Sequence, residues 1–455
     1  MATIINNLRK IAAILAIAIV ALSLSCPKVC ADEPFRNHRY DALRVLPVDS
    51  TDVVFVGNSI TNMHEWWEAF GSMQNVKNRG VSGAVTFETL ANIRAVAKGK
   101  PKKMFLLIGT NDLGTKGIND AQMVADNIAR IIDVVQRESP RTAIYVQSIL
   151  PSNVGIRNTL IEEATNIILR HICDEKQVTY IDLWGSMQGI IDGTHSLDGL
   201  HLKASGYALW CNLIAPYVCD RPDARSVYPD STLQMQIDGG LPNSYGMRCS
   251  QFSMFPVQSA DILMIGDEMI HGGEWHELLQ SPRIKNRGTG WGYCDAGIAM
   301  MQSEIDAIFN TRSGSCKPAA VFLYAGAAEM NSRRPLQDVV TDYQTLVNSI
   351  RDKAPEAHIY LMGLLPTVLP GTNITRVVPF NEALSSLEQE AQGVTYIDLY
   401  TPMAVDNQAI APLFMGNYVS GLGYVKIANI LAKYIGCEAI SQEKALETLN
   451  KNLNF

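Results

Sequence analysis

The chain has 455 residues, of which 47% are hydrophobic and 18% charged, with a net charge of −7 and a pI near 5.7. Its length suits two domains of ~150–200 residues each, and its composition is that of a folded protein rather than a disordered one. No basic run or stripe is present, so a nucleic-acid partner is not expected.

Arg9 and Lys10 precede an apolar stretch, Ile11 to Leu24, and Val29-Cys30-Ala31 has the small-x-small spacing of a cleavage site. This reads as a secretory leader over 1–31, with the mature chain starting near Asp32 and secreted or periplasmic. The apolar run is short for a membrane span, and no other segment is long and apolar enough to be one. Lipid attachment at Cys26 is the alternative, although Ser23-Leu24-Ser25 matches a lipobox poorly. Of nine cysteines, Cys26 and Cys30 fall in the leader. The odd remainder implies at least one free or intermolecular thiol. No CxxC pair exists, and Cys211 with Cys219 is a candidate bridge.

After a connecting arm over Asp32 to Asp49, the chain reaches Asp52 to Thr61, DVVFVGNSIT. The β-branched apolar run predicts a strand buried on both faces, and Ser59 follows at its carboxyl end, where an open α/β sheet places its chemistry. A glycine-bearing turn is expected over Lys77 to Gly83 and a helix over Phe87 to Ala97. Lys103 to Ile108 is a second strand, closed by Gly109-Thr110-Asn111-Asp112. Val124, Ile128, Ile131, Ile132 and Val135 fall at helical spacing over Ala121 to Glu138. Strands over Ala143 to Leu150 and Val178 to Leu183 flank a helix over Leu160 to Lys176. A polar loop, Ser196 to His201, then leads to a helix over Ala204 to Val218. This alternation predicts an α/β fold, a parallel sheet with helices on both faces.

The chain then repeats itself. Asp261 to Gly266 echoes Asp52 to Gly57, Glu274-Trp275 echoes Glu65-Trp66, and Lys285 to Gly288 repeats Lys77 to Gly80. Thr395 to Leu399 repeats Thr179 to Leu183 letter for letter. Blocks recurring in the same order mark an internal duplication. The expected domains are 32–220 and 253–440, with a linker over 221–252 and a tail over 441–455.

In the first copy, GNSIT, NRG, GTND and DGLH stand in the order of the four blocks of the SGNH (GDSL-type) esterase superfamily, which this copy resembles. Asn58 departs from that pattern, which has Asp there. The resemblance implies two tandem flavodoxin-like three-layer domains. It also implies a serine esterase needing no cofactor, with Ser59 as nucleophile, His201 as base and Asp198 as its orienting carboxylate. The oxyanion donors it implies are the backbone N–H groups of Ser59 and Gly80 and the Asn111 side chain. Asn62, Glu65 and Asp112, with Trp66 and Trp67, are candidates to line the cleft. The substrate suggested by sialate O-acetylesterase-like and polysaccharide acetylesterase relatives is an acetyl ester on a carbohydrate. A lipid ester is the runner-up, and an inert glycan-binding protein is the alternative from another class.

In the second copy Glu268 stands where the first has Ser59, Ala328 where it has Asn111, and Met415 and Tyr418 where it has Asp198 and His201. Only Gly288 survives, so this domain reads as a degenerate copy. His271, Glu274 and His276 with Glu268 resemble a metal cluster, but H-x-x-E-x-H is not a metalloprotease spacing, and no metal is assigned. Trp275, Trp291 and Tyr293 are candidate sugar platforms. Asn373-Ile374-Thr375 matches a glycosylation acceptor, meaningful only in a secreted eukaryotic chain.

Overall fold

The computed structural model describes residues 32–453, apart from 72, 74, 116–119, 156, 158, 229–242, 292–293, 296, 310–316 and 391. The expected leader over 1–31, with Cys26, lies outside the described residues. Among the described residues no helix is long and apolar enough to cross a membrane.

Each half of the chain is an α/β domain on a five-stranded parallel sheet. In the first, β1 (Val53–Gly57), β2 (Val76–Gly80), β3 (Lys103–Leu107), β4 (Ala143–Gln147) and β5 (Thr179–Ile181) lie in the order β2-β1-β3-β4-β5. In the second, β6 (Ile262–Gly266) and β7 (Ile284–Gly288) are followed by the two-residue strands β8 (Gly290–Trp291) and β9 (Cys294–Asp295). The sheet continues with β10 (Ala320–Tyr324), β11 (His358–Met362) and β12 (Val394–Ile397). Its order, β7-β6-β10-β11-β12, reproduces the first strand for strand. Every residue of β1, β3, β6 and β10 is buried. Each of these strands has a neighbour on both sides and helices over both faces, which is why each reads as an apolar run, Lys103 at the start of β3 apart. The strand order reverses direction beside β1, and there the carboxyl ends open a crevice.

β2 differs from expectation. The polar sequence VKNRG reads as a turn, yet it forms an edge strand. Its Lys77 and Arg79 point not to water but to Glu277 of the other domain. The arm and the linker also differ. Asp32–Arg44 and Asn243–Phe252 are helices; the first packs on helix Gly421–Ile435 of the second domain, and the second lies between helix Ala204–Cys219 of the first domain and helix Ile298–Phe309 of the second. The carboxyl end of the chain is a helix too, Gln442–Leu453, and it returns to the first domain, where Asn452 Nδ2 donates to Arg44 O.

The interface between the domains is a near-twofold repeat of itself. Arg79 donates to both carboxylate oxygens of Glu277 at 2.7 and 2.8 Å, and Arg287 to both of Glu68 at 2.8 and 2.9 Å. Arg39, on the first arm helix, bonds Gly80 O, Gly272 O and Glu274. Its counterpart Arg248, on the second, bonds Gly288 O, Met63 O and Glu65. Asp41 Oδ2 accepts from Gly421 N as Ser250 Oγ accepts from Ala204 N. An isologous contact between equal subunits has this reciprocity; here it is made within one chain.

Cys211 and Cys219 are free thiols and do not form the expected bridge. Both lie on helix Ala204–Cys219, and eight residues of helix separate them by ~12 Å, beyond the reach of a disulfide. Asn373 is fully buried, with its amide bonded to Thr367 O and Asn407 O, so it is not an accessible glycan acceptor.

Candidate active site

β1 ends at Gly57, and Asn58 turns the chain into a four-residue helix, Ser59–Asn62. Asn58 Oδ1 accepts from Ile60 N at 3.0 Å. Asp267 caps the second copy's helix from the same position, so Asn serves here as Asp serves there. Ser59 opens its helix, and its N–H therefore has no partner within it.

The loop before helix Ala204–Cys219 brings the other groups to this point. Ser59 Oγ lies 2.8 Å from His201 Nε2, and His201 Nδ1 lies 2.8 Å from Asp198 Oδ2. Asp198 Oδ1 accepts from the backbone N–H of Leu200 at 3.0 Å and of His201 at 2.8 Å. Burial would raise the Asp198 pKa, but the bond and charge of His201 and the two backbone donors hold it at about 2. Asp198 is therefore an anion at any ordinary pH. An anion locking one imidazole nitrogen leaves the other to take a proton from the serine hydroxyl.

Asn111 follows β3 and Gly109. Its Nδ2 donates to Ala84 O at 3.0 Å, and its Oδ1 accepts from Arg157 Nη2 at 3.2 Å. Gly80 differs from its expected role. Its N–H donates to Asn78 Oδ1 at 2.9 Å and is already engaged. What glycine provides here is clearance, because a Cβ would sit 2.4 Å from Asn62 N. Gly288 meets the same demand, with a Cβ 2.3 Å from His271 N and its N–H on Asn286. That explains why this glycine survives in a copy without the serine. The turn that follows, Val81 to Ala84, is anchored by Val81 N on Gly57 O and Asn62 Nδ2 on Ser82 Oγ. It carries Gly83 at φ +78°, a conformation glycine adopts freely.

The remaining cleft candidates are in framework positions. Asp112 is buried and accepts from Thr86 N and Thr86 Oγ1, capping helix Thr86–Ala97. Glu329 does the same for Ile298 N in the second copy. Glu65 is buried against Arg248 at 2.8 Å, and Asn62 holds Ser82. Trp66 is core, stacked on Phe55 at 4.1 Å between ring centroids. Trp67 belongs to the interface, stacked on His276 at 4.5 Å. Trp275 is likewise core, bonded to Ile270 O, so it is not a sugar platform. The side chains of Trp291 and Tyr293 lie outside the described residues.

Two features had no clear signal in the sequence. Arg157 orients Asn111 from a different loop, and nothing in its local pattern points to it. The second arm helix, in the linker, buttresses the site from outside the first domain. Its Gln251 bonds His64 Nδ1 at 2.7 Å and its Ser250 caps the helix after His201. Burial holds the His64 imidazole down at about 3, and the neutral ring stacks on Tyr207 at 4.2 Å.

Glu274, His276 and Glu277 each offer a ligand atom, all within 4.8 Å of one another. Both carboxylates are held by guanidinium groups, Glu274 by Arg39 and Glu277 by Arg79. A metal ion would have to displace these cations, so the cluster is a poor fit to one.

Comparison with known proteins places these observations in context. The model of the GDSL-like Lipase/Acylhydrolase family matches residues 55–209 and again 265–424. Platelet-activating factor acetylhydrolase IB subunit alpha2 of Homo sapiens is 27% identical over 173 residues, covering 35% of this chain and 72% of that protein. Among solved structures, a GDSL-like lipase from Bacteroides thetaiotaomicron is similar at 20% identity, covering 37% of this chain and 88% of that one, with a TM-score of 0.34. A carbohydrate esterase family 3 protein from Talaromyces cellulolyticus is similar at 19% identity, covering 37% and 97%, with a TM-score of 0.32.

Proposed function

The chain belongs to the GDSL-like lipase/acylhydrolase family, and from that premise we propose that its first domain is an exported serine esterase releasing acetyl groups from carbohydrates, O-acetylated sialic acid among them. The observation that carries this is the unbroken chain Ser59 Oγ–His201–Asp198, with both links at 2.8 Å. Ser59 attacks the ester carbonyl as its proton passes to His201 Nε2. The bond to the alcohol breaks as His201 returns that proton to the leaving oxygen. Water, activated by the same imidazole, then hydrolyses the acyl-enzyme.

The oxyanion of the tetrahedral intermediate is met by the Ser59 N–H and Asn111 Nδ2. We assign the third donor to the Gly83 N–H rather than to Gly80, whose N–H is engaged by Asn78. Arg157 and Ala84 hold the Asn111 amide before the charge develops, which is the preorganisation such donors require. The second domain, with Glu268, Ala328, Met415 and Tyr418 at the corresponding positions, lacks the nucleophile, the amide and the base, and we read it as non-catalytic.

A second reading is favoured by the relative named as a platelet-activating factor acetylhydrolase: an acetyl ester on a lipid. The test compares acetate release from O-acetylated sialic acid, acetylated xylan and an acetylated ether phospholipid, by wild type and by Ser59→Ala. Release from a sugar by wild type alone supports the first reading. Release from the phospholipid alone moves the substrate to the second. Equal release by Ser59→Ala sinks the mechanism.

A further inference from the structure

The loop that carries Asp198 and His201 is held from within by one buried hydroxyl. Its ends are closed by Lys203 N, which donates to His195 O at 3.0 Å, and by an antiparallel bridge between Ser196 and Leu202. Inside it lies Ser196, 1% exposed. Its Oγ accepts from three consecutive backbone N–H groups, those of Asp198 at 3.3 Å, Gly199 at 2.9 Å and Leu200 at 3.1 Å. Gly199, at φ +77°, makes the left-handed bend that lets the three converge. Such a nest of N–H groups ordinarily takes an anion; here a hydroxyl oxygen fills it. The hydroxyl proton is then directed at Asp198 Oδ1, 3.2 Å away.

The result is a carboxylate held against rotation. The last side-chain torsion of an aspartate is soft and nearly twofold, so an unsupported Asp198 would turn either oxygen, or neither, to the imidazole. Ser196 Oγ, Leu200 N and His201 N all donate to Oδ1, and Oδ2 is thereby kept 2.8 Å from His201 Nδ1. The bonds from Leu200 and His201 need the loop shape that Ser196 sets. The converging N–H dipoles also polarise the Ser196 hydroxyl and strengthen the bond it donates. In the second copy Leu413 stands at the offset of Ser196, and the segment there is a hairpin of Phe414–Met415 with Tyr418–Val419. The loop is missing where the serine is missing.

We propose that Ser196 is a positioning residue for the esterase reaction: its hydroxyl fixes Asp198, and through it His201, without touching substrate. The inference rests on the roles proposed for Ser59, His201 and Asp198. The test is steady-state hydrolysis of p-nitrophenyl acetate by the full mature chain, with thermal melts of every variant. Ser196→Ala should lower kcat on the order of 10–100-fold, the scale of a ~1 Å misplacement, with KM within about twofold of wild type. Ser196→Thr, which keeps the hydroxyl, should recover most of that loss. Ser196→Ala combined with Asp198→Ala should be no slower than Asp198→Ala alone, because a residue acting through Asp198 then has nothing left to position; a purely structural role would multiply the two losses. Wild-type kcat in Ser196→Ala, a Ser196→Thr enzyme as slow as Ser196→Ala at equal melting temperature, or losses that multiply would each overturn the proposal and leave the Ser59 reaction standing. Equal hydrolysis by wild type and Ser59→Ala would overturn that reaction and this role together.

Discussion

Arg287→Ala is the substitution that bears most directly on how the two domains are joined. Arg287 and Glu68 are fully buried, with side-chain exposures of 0% and 2%. The guanidinium makes two bonds to the Glu68 carboxylate, a third to Asn286 O, and lies over the rings of Phe252 and Phe255. Removing the arginine leaves a carboxylate without its cation in a site closed to water, which costs about 3–5 kcal/mol. The near-twofold repeat is imperfect here: Arg79→Ala should cost less, because Lys77 stays 3.6 Å from Glu277 as a second cation. Replacing both members, as in Arg287→Met with Glu68→Met, should recover most of the loss, since a packed apolar pair is often no worse than a buried ion pair. Urea denaturation followed by fluorescence and by esterase activity gives all three values. Because the second arm helix supports the site through Gln251 and Ser250, activity and fluorescence should be lost together. A cost below ~1 kcal/mol for Arg287→Ala, or a double variant no better than the single, would show that the interface is hydrated and the reasoning wrong.

Ser59→Ala should lower kcat by at least ~10⁴-fold with the fold unchanged, and Asp198→Asn by on the order of 10³–10⁴-fold, measured on p-nitrophenyl acetate. Asn111→Ala should cost ~10²–10³-fold in kcat. Arg157→Ala should cost less and show in kcat rather than KM, because it only orients the amide. Gly80→Ala and Gly288→Ala should each destabilise by ~1–3 kcal/mol, since each Cβ would meet backbone within 2.4 Å; unchanged stability in either variant would refute the clearance argument. Finally, burial raises Glu304 to about 7 from an ordinary value of 4.5, so the folded state holds a proton that the unfolded chain has released. Stability from this group is full below pH ~4.5 and declines as pH rises to ~7, by up to roughly 3 kcal/mol. Glu304→Gln should flatten that slope in thermal melts taken between pH 4.5 and 7.5.

The linear chain by itself determined the α/β class and the duplication, and its resemblance to a known family singled out Ser59, Asp198 and His201, which the fold brings within hydrogen-bond reach of one another. These are written in local terms: apolar runs that only a doubly covered strand requires, and short blocks at strand ends that recur in order. Tertiary structure decided whatever depends on a partner from far along the chain. VKNRG and the two arm helices look like turn, connector and linker because the groups that neutralise their arginines lie roughly 180 to 240 residues away in sequence. Glu65, Asp112 and the tryptophans look like cleft residues because they sit near Ser59 or Asn111 in sequence, yet the fold turns them toward an arginine, a helix end, the core and the interface. Gly80 survives in both copies because two backbones meet there, a demand no pattern of side chains can announce. The opposite case is Arg157, remote in sequence and brought to Asn111 only by the packing of loops at the end of the sheet.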